Sequence, residues 1–446
     1  MSSSQRTPTK VVVSVGGVLA AVVAATAALA RPFAAPRRPR VAFQPLSVYE
    51  PDAAGRPVFS PFHLDTQPMR ALVLFNFERD PDSIYEGLEP QAFDDDVHGR
   101  GLLVIGWRVD GLVDVFHDPQ LRLDPATYAI AGAGLHRMAA RDLSGGRVEL
   151  GPTGASVDLA FTDLADRPIR LVVRETDTRP RRPFGLLAPM GSAATDPPAL
   201  PLVYAKDFYF VRRSGSEVRI EIDGREHRSD TLPLLLDNTW MHFVRYSATP
   251  FVALWNHRDH DTADVLSTSG VTTRAGGARY ELRANGPFRE IQRMSRDEGG
   301  QQVTVDFAPA LPHLLALRDG ARVDGSFRVS TEPPAGVVTG TWHVVRHGRR
   351  VEVEVVPSGG WTPGDAQPMA RLLFRVISMF RSWPTTYRWS GTVEVPAPTA
   401  DLDGSIPLTS RWSRVGRTRP RSPAAAEVRS DAALPGRSHQ SAGVGR

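Results

Sequence analysis

The sequence predicts a mainly antiparallel β protein, and three observations carry that prediction. Short apolar or alternating runs are separated by Asp-Gly and Asn-Gly dipeptides, which supply the positive φ angles that two-residue hairpins need. Alternation is regular in VEVEVV (351–356) and RIEI (219–222), with Val or Ile on one side and Glu or Arg on the other. One face of each sheet therefore meets water, as in antiparallel meanders. The chain also holds 38 Gly and 38 Pro, which argues for frequent turns and against long helical bundles.

The elements follow in chain order. Residues 11–30 form an uncharged stretch, VVVSVGGVLAAVVAATAALA, long enough to cross a bilayer core at 1.5 Å per helical residue. A cleaved signal peptide competes with the uncleaved anchor, because Ala28-Leu29-Ala30 offers a small-x-small cleavage site. Basic residues flank the stretch on both sides, so the side of the membrane stays open. From Ala71 onward the β signal takes over. LLVIGWRV (102–109) meets LVDVF (112–116) across Asp110-Gly111, and EVRIEI (217–222) turns back at Asp223-Gly224. RYELRA (279–284) meets PFREIQRM (287–294) across Asn285-Gly286, and GTWHVV (340–345) meets VEVEVV at His347-Gly348. The Pro- and Gly-rich text at 178–202 reads as a long ordered loop or lid. PMARLLFRVISMFRS (368–382) reads as an amphipathic helix that packs on a sheet, or alternatively lies on a membrane surface. The expected domains are an anchor (1–40), a first β-barrel-like domain (41–235), a second (236–401) and a disordered basic tail (402–446).

Charge separates along the same lines. Residues 1–40 carry six basic residues and no acid, and 402–446 carry eight Arg against three acids, so the body sums to −7 although the whole chain is +4. The basic charge sits on the ends, which disfavours nucleic-acid binding by the body. Cys is absent. That excludes disulfides, thiol catalysis, iron–sulfur ligation and Cys-based zinc sites. The chain holds no Gly-x-Ser-x-Gly elbow, no phosphate-binding Gly loop and no His-Glu-x-x-His. No cofactor is expected.

Three stretches concentrate chemistry. WNHRDHDTAD (255–264) holds His257, Asp259 and His260, types that can ligate a metal, but the spacing suits neither a helical pair nor one face of a strand. A solvated loop is the reading preferred. WMHFVRYS (240–247), taken as a regular strand, places Trp240, His242, Val244 and Tyr246 on one face. Such a row would give an aromatic pocket with a group that titrates near neutrality. DFYFVRR (207–213) puts Asp207 beside Tyr209 on one face.

GTWHVV, the aromatic pair Tyr387 and Trp389, and DFYFVRR together resemble the hydroxyneurosporene synthase or carotenoid hydratase-like family, over roughly residues 42–400. The resemblance implies two lipocalin-like barrels in tandem and a hydrophobic small molecule in a barrel mouth. It transfers no catalytic residue. The functional expectation is a membrane-tethered β-barrel protein that binds an apolar lipid or isoprenoid-like molecule, with Trp240, Tyr209, Trp342, Tyr387 and Trp389 lining the site. One alternative is an acid–base hydratase, isomerase or cyclase without metal, in which His242 is the acid or base, Tyr246 or Asp207 its partner and Trp240 a cation-stabilising wall. The other is a structural envelope protein. The expected partners are the apolar molecule and, through 11–30, a membrane.

Overall fold

The computed structural model describes residues 42–69, 71–129, 131–151, 153–177, 179–189, 200–233, 235–256, 262–357, 387–396 and 405–414. It is 62% strand and 4% helix. In chain order the first strands are β1 (Val58–Ser60), β2 (Leu64–Pro68), β3 (Leu72–Asn76), β4 (Tyr85–Asp95), β5 (Gly99–Arg108), β6 (Val113–His117) and β7 (Leu135–Ala140), with helix α1 (Pro125–Tyr128) before β7. Next come β8 (Arg147–Gly151), β9 (Gly154–Thr162), β10 (Pro168–Glu175), β11 (Phe184–Pro189), β12 (Leu200–Arg212), β13 (Ser216–Ile222), β14 (Arg225–His227), β15 (Met241–Ser247) and β16 (Phe251–Trp255). The remainder are β17 (Thr262–Leu266), β18 (Thr272–Ala275), β19 (Ala278–Asn285), β20 (Phe288–Glu298), β21 (Gln301–Leu311), β22 (Arg322–Glu332), β23 (Val337–His347), β24 (Arg350–Pro357), β25 (Tyr387–Glu394) and β26 (Ser405–Arg414).

These strands make three sheets. The largest runs β1-β17-β26-β25-β24-β23-β22-β21-β20-β19-β18, a second runs β14-β13-β10-β9-β8, and a third runs β2-β16-β12-β15-β3-β4-β5-β6-β7, with β11 also paired to β12. Pairing is antiparallel except for β6 with β7. The four turn-marked hairpins form as the sequence predicts: β5–β6, β13–β14, β19–β20 and β23–β24 all pair. Asp223 and Gly224 both take positive φ. The sheets curl as half-barrels. Register shifts interrupt β4–β5, β12–β15, β19–β20 and β20–β21, and such bulges bend a strand and sharpen its twist.

Several expectations change. Strands β15 and β16 lie beyond residue 235 yet join the sheet of β2–β7, while β1 joins the sheet of β17–β26. The two halves therefore exchange strands across the expected boundary. Ser405–Arg414, assigned by composition to the tail, is a strand that pairs with β17 at its start and with β25 from Leu408 onward. Part of 178–202, read as a loop, is strand: Phe184–Pro189 pairs with β12. The apolar stretch 11–30, the helix 368–382, residues 257–261 and the tail after 414 lie outside the described residues. Among the described residues no helix is long and apolar enough to cross a membrane.

One hydrophobic core runs through both halves. Against the inner face of the largest sheet it is rich in rings, contributed also by Phe62 and by Trp255 of β16. Phe62 lies 5.6 Å from Trp255, 5.5 Å from Trp389 and 5.3 Å from Phe307, while Trp255 meets Phe327 at 4.8 Å and Trp412 at 6.4 Å. Residues 42–57 pack against this sheet around Glu290, a fully buried carboxylate. Tyr49 Oη donates to it at 2.7 Å and Asn285 Nδ2 at 2.6 Å. A smaller core lies under α1 on the outer face of the third sheet.

Candidate functional site

Tyr209 and Tyr246, assigned by the sequence to two separate rows, come together in the structure. They are directly opposite in the β12–β15 register, and their rings stand 6.2 Å apart. What the sequence reading missed is the pair of buried arginines beside them. Arg181, from the segment entering β11, donates from Nη1 to Glu175 Oε2 at 2.8 Å and also to Tyr246 Oη. Its guanidinium lies 5.8 Å from the Tyr209 ring centre and 5.9 Å from that of Tyr246. Arg212, 2% exposed, donates to the Arg179 carbonyl at 2.8 Å and the Pro180 carbonyl at 2.7 Å. Tyr209 Oη donates to Asp237.

Burial and the neighbouring Asp237 and Glu175 carboxylates push both phenols up. The two tyrosines are therefore donors, not phenolates, at neutral pH. Glu175 is fully buried and satisfied on both oxygens, by Arg181, by Ala155 N at 2.8 Å and by Arg212 N at 3.2 Å. This cluster is a paired and hydrogen-bonded ion network, the condition under which buried charge is tolerated. It ties the 179–189 segment to β12 and β15.

The other proposed acid–base residues are placed elsewhere. Strand β15 carries two more residues than β12 between the pairs Phe210–Arg245 and Arg212–Met241. Met241, Val244 and Tyr246 consequently all reach the core. A regular alternation would have grouped Trp240 and His242 with Tyr246, and the bulge breaks that row. His242 Nδ1 meets Ser229 Oγ at 2.8 Å. Burial, assisted by the Arg213 charge, pushes His242 down to about 4, so it is neutral at pH 7. Asp207 accepts from Ser247 Oγ and, at 3.0 Å, from Ala248 N, which engages it in the turn after β15. Trp240 is 50% exposed rather than lining an interior wall.

Trp342, Tyr387 and Trp389 are all buried on the inner face of the largest sheet. Trp342 Nε1 donates to the Ser326 carbonyl at 3.2 Å. Trp389 stands over Gly391, where a Cβ would come within 2.4 Å of its ring. The indole N–H groups of Trp389 and Trp255 are buried and find no acceptor. Trp412 differs, because its Nε1 reaches the carbonyls of Trp255 and Asn256 at 3.1 and 3.0 Å.

A further buried carboxylate, Glu89 on β4, escaped the sequence reading. It faces the outer core of the third sheet and accepts from Gln91 Nε2 at 2.8 Å and Trp107 Nε1 at 3.0 Å. Burial pushes it up to about 7, the two hydrogen bonds opposing that shift in part. Arg245, whose Nη2 donates to Asn76 at 2.9 Å, is pushed down to about 10 by burial. Asp114, fully buried on β6, collects Tyr85 Oη at 3.1 Å, Arg108 Nη1 at 2.9 Å and His136 Nδ1 at 2.6 Å. The one signal available for Glu89 was its place among apolar residues in YEGLEPQAF (85–93).

Of the metal candidates, His257, Asp259 and His260 fall outside the described residues, and the described ones contain no group of three or more acidic or His side chains able to hold a metal. Comparison with protein families, curated proteins and solved structures finds no match to this chain.

Proposed function

We propose that this protein binds an apolar small molecule that carries a hydrogen-bond acceptor, held among the rings of the largest sheet. The observation behind the reading is the pair of buried indole N–H groups of Trp255 and Trp389 that lack acceptors, both beside the Phe62 ring. A buried donor left unpaired costs about 1–3 kcal/mol. A carbonyl, ester or hydroxyl oxygen placed there recovers that cost, and the surrounding Phe62, Phe307 and Phe327 favour a hydrocarbon body. A lipid or isoprenoid-like molecule has both parts. On this reading the tandem half-barrels act in the manner of lipocalin-like barrels, and residues 11–30 hold them at the membrane where such ligands partition.

The test is organic extraction of the purified full-length chain followed by lipid mass spectrometry. The expected result is a stoichiometric apolar species with an oxygen acceptor. Trp389→Phe and Trp255→Phe keep a ring and remove the donor, and each is expected to weaken ligand retention about tenfold, the equivalent of about 1.4 kcal/mol. A clean extract from folded protein that also takes up no added lipid or isoprenoid overturns the reading and favours a structural envelope role.

A second reading, an acid–base lyase or isomerase, draws on Glu89 rather than His242. A carboxyl that titrates near 7 suits proton transfer at neutral pH. Turnover of the extracted molecule that is lost in Glu89→Gln while binding persists would favour it.

A further inference from the structure

The segment Leu235–Trp240 forms a tight hairpin. Asp237 and Asn238 both take positive φ, 50° and 57°, as a two-residue hairpin turn of this hand requires. Leu236 and Thr239 exchange both backbone hydrogen bonds, at 3.0 and 3.1 Å. The next residues outward, Leu235 and Trp240, therefore stand opposite each other and point to the other face. Leu236 and Thr239 are 2% and 9% exposed, whereas Leu235 and Trp240 are 40% and 50% exposed. Trp240 is the one exposed tryptophan among the described residues.

This tip is fixed to the body. Arg213 N donates to the Trp240 carbonyl at 2.9 Å, Tyr209 Oη donates to Asp237, and Arg182 N donates to Asp237 at 3.3 Å. The exposed apolar pair is thus held out by a rigid support. The charge around it is uneven. Arg179, Arg181, Arg182, Arg212 and Arg213 stand against Glu175, Asp177 and Asp237. All three carboxylates face arginines or Tyr209 within the cluster, while the side chain of Arg213 is exposed. A basic rim beside an outward Trp–Leu pair, on a body that is net acidic, fits an anionic lipid surface. Trp prefers the headgroup boundary, Leu the acyl region below it, and arginines the phosphates.

We propose that the 235–240 hairpin is a membrane-docking tip: Trp240 and Leu235 enter the headgroup boundary of an anionic bilayer, and Arg213 meets its phosphates. The docking is independent of any ligand in the aromatic interior. It is local, so it is tested on the full-length chain without removing residues 11–30. The protein is reconstituted in nanodiscs of phosphatidylcholine, alone or mixed with phosphatidylglycerol, whose acyl chains are brominated near the carbonyl. Tryptophan emission is then recorded. Wild type is expected to show a quenched component that grows with phosphatidylglycerol and is missing in Trp240→Phe. Arg213→Glu is expected to weaken that component several-fold, in line with roughly fivefold for each basic side chain at an anionic surface. Leu235→Ser is expected to weaken it as well. Both residues are exposed, so circular dichroism and melting should match wild type and show that folding is intact. Equal quenching in wild type and Trp240→Phe overturns the proposal, as does quenching of Trp240 that ignores both phosphatidylglycerol and Arg213→Glu.

Discussion

The two curled regions bury their interiors with different materials. The interior of the largest sheet packs ring against ring: Phe307, Phe327, Trp389 and Trp412 of that sheet line it together with Phe62 and with Trp255 of β16, and the burial of area stabilises it. The third sheet and the neighbouring five-stranded sheet bury ions instead: Glu175 with Arg181 and Arg212, Asp163 with Arg167, and Glu89 near Arg245. Rings tolerate small displacements. A buried ion pair tolerates none, because the loss of one partner leaves an unscreened charge. The contrast predicts that the ring-packed region is sensitive to shape and the ion-bearing region to charge and pH.

The largest effect should come from Glu175→Ala. It strands Arg181 and frees two backbone N–H groups, so urea denaturation should show a loss of about 3–5 kcal/mol. The double variant with Arg181→Met should recover part of that loss, and a merely additive result would refute the ion-network account.

Next is the pH dependence set by Glu89. Its carboxyl titrates near 7 when folded and in the ordinary carboxylate range when unfolded. The folded state therefore holds the proton that the unfolded state has released, and stability falls as pH rises through this window, then levels off above about 7. The expected loss is about 3 kcal/mol between pH 4.5 and 8. Glu89→Gln, which does not titrate, should flatten that slope in denaturation curves measured across the range.

The smallest effect tests shape. Gly391→Ala places a Cβ 2.4 Å from the Trp389 ring, and overpacking of this kind costs about 1–3 kcal/mol. It should appear as a lower urea midpoint with no change in pH slope.

The same division explains what the sequence revealed. Hairpins β19–β20 and β23–β24 are local, and Asn285-Gly286 and His347-Gly348 announce them. The hairpin at Asp237-Asn238 has no glycine, so it passed unread. The bulge in β15 left no sequence mark, and a regular strand groups His242 and Trp240 with Tyr246. The burial of Arg181 and Arg212 has no local signal, because the partner that buries each comes from a separate strand or loop. Tyr209 and Tyr246 were legible one at a time, each on its own strand, and their pairing was not. Strand β26 was missed: Ile406, Leu408 and Trp412 recur at even spacing and are buried, but the Arg- and Ser-rich text around them masked the period.

The exchange of strands between the halves has a consequence for how the chain is made. Val58 pairs with Leu266 and Leu64 with Trp255, while β17 needs β26 on its other side. The earliest of these strands to leave the ribosome has no partner until more than half of the chain has been made, and the largest sheet stays open until Ser405–Arg414 arrives. Contacts so distant in sequence make folding slow and leave apolar strand edges exposed meanwhile. Synthesis of this protein therefore carries a long interval of vulnerability to aggregation, and a holding chaperone would be of most use to it during that interval.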